Sequence, residues 1–197
     1  MLDKLINASA EYLIRQGVIS SDDRDIYEYG FHSLYSNTII FLLLGIIALL
    51  LNKLPQTIVY HIAFISMRSI VGGYHAKSQL RCFFMSLTIW ILSLWVIQFL
   101  HSPSILIALS TASTILVWWK APIEHENNPL GELKFAQMKF ISRLLSVILN
   151  VVICIICIMP ESYRWLAASL TTGMISHSLL AITFLCKQHY LEHTKEK

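Results

Sequence analysis

Charge is scarce in this sequence. Only 14% of its 197 residues are Asp, Glu, Lys or Arg, against 55% hydrophobic. A soluble domain of this length could not hide so much apolar surface, so the apolar runs must face lipid. The four cysteines follow no regular spacing, which excludes a disulfide framework. No low-complexity segment or internal repeat is present. No His, Asp and Glu spacing typical of a metal site occurs, so neither metal nor other cofactor is expected. The first long apolar run, Leu34 to Leu51, follows acidic and polar residues rather than a short basic segment, unlike a cleaved signal peptide. The net charge of +3 gives no case for nucleic-acid binding.

What is present is a series of apolar segments. Six spans are predicted, roughly 34–51, 56–72, 83–101, 104–119, 141–159 and 164–185. Several fall short of the ~20 residues a typical bilayer asks for, so tilt or local thinning is expected. With the N-terminus in the cytosol, only Lys53 and Arg164 of the 15 Lys and Arg residues fall outside, and Arg68 lies within span two. That inside bias sets the orientation, and an even number of spans returns the C-terminus to the same side. Residues 1–16 place Leu2, Leu5, Ile6, Tyr12, Leu13 and Ile14 at helical spacing, which fits an amphipathic helix on the inner leaflet. Ser20 and Asp23 read as a capping box for a helix running through Tyr27, Phe31 and Leu34 into the first span. The fold class is therefore all-α: a polytopic membrane protein of about six transmembrane helices, one domain over 1–197. Residues 1–33 form an amphipathic region on the cytosolic face. The longest polar interruption, Lys120 to Gln137, holds Pro122 and Pro129 with Asn127-Asn128 between them and reads as an ordered cytosolic loop. Lys134, Lys139 and Arg143 follow as a basic rim at the start of span five.

The chemistry concentrates in one cytosolic stretch, from Arg68 through Gly72, Gly73 and His75 to Cys82. A Cys–His pair is the smallest set able to run nucleophilic acyl chemistry. On one straight helix the seven residues from His75 to Cys82 would rise ~10.5 Å, whereas a general base must come within ~2.6–3.2 Å of its proton. A working pair therefore needs the chain to reverse. Gly72-Gly73 provides the means, because glycine accepts backbone angles that end a helix. Cys82 is then the nucleophile as thiolate, favoured by Arg81, Lys77 and the N-terminus of a helix starting near it. His75 takes the proton and returns one to the departing amine. Gln79 or Ser78 would orient the imidazole or donate to an oxyanion, and sequence does not choose between them.

Other residues have plainer readings beside the functional ones. Isolated membrane cysteines are mostly small apolar fillers, the reading for Cys154, Cys157 and Cys186 despite a CxxC spacing in the first two. Arg68 inside a span is expensive unless paired or facing a wet cavity; it would hold a substrate carboxylate or backbone, or else snorkel to the headgroups. His61 and His177 read as core hydrogen-bonding groups. Trp90, Trp95, Trp118, Trp119 and Trp165 read as interface or packing aromatics.

With these residues placed, the chain resembles the AgrB family, the membrane endopeptidases of Gram-positive quorum-sensing systems. The likeness rests on Tyr29-Gly30 leading to Ser36-Asn37, on Arg68 four residues before Gly72-Gly73-Tyr74-His75-Ala76, and on Cys82 seven residues after the histidine. It extends to Ala121-Pro122 and Asn128-Pro129-Leu130. The resemblance implies a bacterial cell-membrane enzyme that cuts a short amphipathic signal propeptide near its C-terminus, releases an acidic tail and keeps the rest as a thioester on Cys82. A Cys or Ser of the propeptide then closes a thiolactone or lactone ring. It also implies the catalytic pair His75 and Cys82, a supporting motif of Arg68, Gly72 and Gly73, and a homodimer. The rim of Lys134, Lys139 and Arg143 would dock the acidic tail or else bind anionic membrane lipid and enforce topology. Two readings from other classes stand beside this one: a peptide exporter without covalent chemistry, its path lined by Arg68, His61 and His177, and a structural membrane partner of a signalling kinase.

Overall fold

The computed structural model describes residues 2–72, 79–123 and 131–195. They form seven α-helices: α1 (Leu2–Arg15), α2 (Arg24–Leu50), α3 (Leu54–Val71), α4 (Gln79–Phe99), α5 (Pro103–Lys120), α6 (Glu132–Ile158) and α7 (Arg164–Lys195). Helices α2 to α7 occupy the six expected spans. Four of them, α2, α5, α6 and α7, are long and apolar enough to cross a membrane, and α4 carries a shorter apolar stretch, Phe84–Phe99. This is an all-α membrane protein.

α2 begins at Arg24, where the sequence places the start of a helix running into the first span. Two other boundaries lie well beyond the expected apolar run: α6 begins at Glu132 and α7 continues to Lys195. Hydropathy marks the hydrocarbon slab, and charged residues outside it do not stop a helix. Arg24 Nε and Glu28 Oε1, one turn apart and 2.6 Å from each other, support the first turn of α2 in the usual i,i+4 manner.

The helices fall into two compact units, Met1–Asn52 and Lys53–Lys197. In the first, α1 packs on α2 through buried Ile6 and Ala10, with Ser9 Oγ and Tyr35 Oη 2.7 Å apart. α1 ends in a Schellman motif: Val18 N–H reaches the Leu13 carbonyl at 3.0 Å and Gly17 N–H the Ile14 carbonyl at 2.9 Å. Gly17, at φ +69, takes the left-handed position that motif requires. The expected capping box is replaced by a 3-10 turn, Ser21–Asp23. The Ser20 hydroxyl donates to the Asp23 carboxylate at 3.1 Å rather than accepting a backbone N–H.

In the second unit α7 is the central helix. Its span is 67% buried, against 28% for α5 and 33% for α6, and its small residues explain why. Ala167, Ala168 and Ser169 are fully enclosed, and a Cβ at Gly173 would stand 2.7 Å from the Tyr60 carbonyl oxygen and 2.9 Å from the Ala63 Cβ. Lipid tails offer no hydrophobic drive for helices to pair, so close packing of small residues holds them. α3 answers with one stripe at helical spacing: Thr57, Tyr60, Ala63, Phe64, Met67 and Val71 are buried. Side-chain hydrogen bonds that each involve a hydroxyl tie the remaining helices. Trp90 Nε1 donates to Thr57 Oγ1 at 3.3 Å and Ser93 Oγ lies 3.1 Å from Ser176 Oγ. Ser110 donates to Asn150 Oδ1 at 2.7 Å between α5 and α6. Each such bond contributes roughly 0.6 kcal/mol in a membrane.

Gly173→Val is expected to lower stability by about 1–3 kcal/mol through overpacking, read as thermal unfolding in detergent. Gly45→Ala, whose added Cβ meets nothing within 4 Å, should leave it unchanged or slightly raised. Equal melting of Gly173→Val and wild type would contradict the close α3–α7 approach.

Candidate functional site

A helix leaves its last carbonyls without intrahelical partners. At the end of α3 two of these are taken by remote parts of the chain. The Val71 carbonyl accepts the Ile123 backbone N–H at 2.8 Å, and Gly72 and Ile123 form a short parallel bridge. The Gly72 carbonyl accepts from His177 Nε2 at 3.1 Å. Gly72 has φ 83 and ψ −161, a region that is essentially glycine's alone. A Cβ there would stand 2.5 Å from the Ile123 carbonyl oxygen, so both conformation and close approach demand glycine. Beneath the bridge Met67, Val71, Val117, Ala121, Ile123, Ala181 and Phe184 form a buried cluster.

His177 is only 1% exposed. A carbonyl can only accept, so Nε2 carries the hydrogen and Nδ1 is left as an acceptor. That Nδ1 is buried without a hydrogen-bond partner among the described residues. An unpaired buried atom of this kind costs about 1–3 kcal/mol.

The structure treats the sequence-predicted residues unequally. α3 stops at Val71 and Gly72 is its C-cap; a separate helix, α4, begins at Gln79. The two are not one straight rod. Cys82 and Gln79 lie in the first turn of α4, their side chains outside the described set. Gly73 and His75 lie outside the described residues. Arg68, one turn before Gly72, is half-buried with its guanidinium 5.9 Å from the centre of the Phe64 ring.

The basic rim lies on α6, which already starts at Glu132, so the last part of the expected Lys120–Gln137 loop is helical. Lys134 and Lys139 are exposed on its first turns. Arg143 is engaged elsewhere: its Nη2 donates to the Trp118 carbonyl at 2.9 Å and its guanidinium lies 4.9 Å from the centre of the Trp118 ring. It thereby satisfies a terminal carbonyl of α5. His61 bonds within its own helix, Nδ1 to the Thr57 carbonyl at 2.8 Å.

Two polar connections, residues 73–78 and 124–130, thus depart from the same bridge. The matching family model, Accessory gene regulator B, covers residues 6–186. The chain belongs to this family. Similar proteins include accessory gene regulator protein B of Staphylococcus intermedius, 29% identical over 60% of this chain and 62% of that protein. That of Staphylococcus haemolyticus is 26% identical over 70% and 72%. A protein of Clostridium perfringens named as AgrB-like is 23% identical over 90% and 94%. The matched stretch thus spans somewhat under two thirds of the Staphylococcus intermedius protein's length. No solved structure matches the chain.

Sequence reasoning took His177 as a hydrogen-bonding core residue, and so it is. Its partner, 105 positions away, carries no sequence signal. Ile123 was missed altogether, because it acts through its backbone.

Gly72→Ala should lose about 1–3 kcal/mol from its backbone region alone, with a further loss as the bridge to Ile123 opens. Gly17→Ala, at φ +69 but with nothing within 4 Å of the new Cβ, should lose only about 1–2 kcal/mol. Thermal unfolding of the two variants in detergent makes the comparison, and equal losses would show that the approach of Ile123 does not constrain residue 72.

Proposed function

We propose that this chain is a membrane cysteine endopeptidase of accessory gene regulator quorum sensing. It cleaves the C-terminal tail from a short amphipathic propeptide and promotes cyclisation of the remainder. The observation that carries the reading is the bridge at Gly72 and Ile123. It sends both motif-bearing connections out from one point, in a chain whose family is established over most of its length.

The Cys82 thiolate attacks the carbonyl carbon of the scissile peptide bond, and the carbonyl electrons move onto oxygen. As the tetrahedral species collapses, the C–N bond breaks and the imidazolium of His75 gives its proton to the departing amine. The tail leaves with a new amino terminus, and the propeptide is held as a thioester on Cys82. A thiol or hydroxyl within the propeptide then loses its proton to His75 and attacks that thioester. Cys82 leaves as thiolate and the ring closes as thiolactone or lactone. Placement of Cys82 in the first turn of α4 supports the thiolate, since the exposed N–H groups of a helix start favour negative charge. Arg68 holds the substrate backbone or its carboxylate.

Converting an amide to a thioester is uphill, so water must be kept from the acyl-enzyme and the tail must be removed. A site at the bilayer boundary restricts water, and a membrane-anchored substrate has already lost most of its orientational freedom. Exposed Lys134 and Lys139 suit an acidic tail; Arg143, tied to α5, serves the helix packing. The reading includes a homodimer in the bacterial cell membrane with both termini in the cytosol. Export without chemistry is less well supported, because His61 and His177 are occupied by backbone carbonyls.

Purified protein reconstituted with a cognate propeptide should release the tail and show a cysteine-linked acyl adduct by mass spectrometry. Cys82→Ala and His75→Ala should each abolish both while remaining in the membrane, and a Cys82→Ala protein that still cuts would end the assignment. Lys134→Glu with Lys139→Glu should raise KM several-fold at unchanged kcat, as expected for docking charges remote from the chemistry. An unchanged KM would leave these lysines a topological role alone.

A further inference from the structure

The proposed reaction uses His75 and Cys82 but gives no task to His177, the most deeply buried histidine among the described residues. We infer that His177 is a positioning residue for the same reaction, acting through the Gly72 carbonyl. The inference rests on the endopeptidase reading and extends it to a residue on α7.

Its Nε2 donates to the Gly72 carbonyl at 3.1 Å, and the imidazole is 1% exposed. Nδ1 meets no partner among the described residues, so the bond from Nε2 to the Gly72 carbonyl is offset by a buried unpaired atom on the same ring. The histidine therefore contributes little net stability for the position it holds. Locally unfavourable choices held in place by their surroundings concentrate at functional sites. What the bond does is geometric. Gly72 lies in a backbone region that imposes no direction through side-chain sterics, since glycine has none. Two hydrogen bonds supply the direction instead: Ile123 fixes the Val71 carbonyl and His177 fixes the next one. The bond from α7 sets the orientation of the Gly72 carbonyl at the end of α3, three residues before His75 in sequence. Distance between an acid–base group and its nucleophile governs rate steeply, and a shift of about 1 Å can cost on the order of 100-fold.

Other polar groups near α7 do not offer the same link. The Thr172 hydroxyl donates to its own helix at Ala168 and Ser176 pairs with Ser93; among the described residues neither bonds to Gly72.

The test measures tail release, thermal unfolding and membrane accumulation for His177→Leu and His177→Gln, with Cys82→Ala alongside. His177→Leu should melt near the wild-type temperature, the orphaned Gly72 carbonyl offsetting the loss of the unpaired Nδ1, while kcat falls at least 10-fold and KM stays within about 2-fold. His177→Gln, which keeps a donor at a similar reach, should recover much of kcat. Wild-type kcat in a folded His177→Leu protein would overturn the inference. If His177→Leu fails to accumulate, His177→Met takes its place, and failure of both would make the bond structural and overturn it too. Continued cleavage by Cys82→Ala would instead sink the endopeptidase reading beneath it, a distinguishable result.

Discussion

The structure turns on the way α3 is stopped. A helix inside a membrane has strong reason to continue, since each broken backbone hydrogen bond must be satisfied by something other than water. Here Gly72 ends it in a conformation closed to other residues, and the freed carbonyls are met by Ile123 and by His177. Each bond has a net value of only about 0.5–1.5 kcal/mol. Their importance lies in direction: they bind the end of α3, the segment after α5 and the middle of α7 into one junction.

The rest of the second unit can be understood as the support of that junction. For His177 to reach Gly72, α7 must lie close against α3, and Gly173 permits this by leaving no side chain where the Tyr60 carbonyl passes. For Ile123 to reach Val71, α5 must end at the same depth, which Val117 and Ala121 secure by packing on Met67 and Val71. Arg143 on α6 completes the arrangement by occupying the Trp118 carbonyl at the last turn of α5. His177 and Arg143 thus serve to align helix ends, while the polar pairs in mid-helix join the helices side by side.

Much of the fold was legible in the sequence. Six apolar runs became six helices, and the glycine pair marked the end of α3 because a helix break there had a chemical motive. The start of α2 was legible from Ser20 and Asp23, but the start of α6 at Glu132 and the end of α7 at Lys195 were not, because charge was read as the end of structure rather than the end of lipid. The basic rim showed why a list of charges does not define a site: Lys134 and Lys139 remain exposed, whereas Arg143 is held against Trp118. The junction itself was not legible. Ile123 contributes only an N–H and a carbonyl, which every residue but proline has, and the His177 bond spans 105 positions. Such long-range backbone pairing leaves no periodicity and no motif.

Residue-resolved amide hydrogen exchange of the protein in nanodiscs tests the junction most directly. Ile123 follows Pro122, which has no N–H, so its amide stands alone just beyond Ala121. The account predicts that this amide exchanges as slowly as those inside α5, because it is bonded to Val71 at 2.8 Å. Exchange at the rate of an unstructured peptide would mean that the end of α3 and the segment after α5 are not joined, and the central claim would fail.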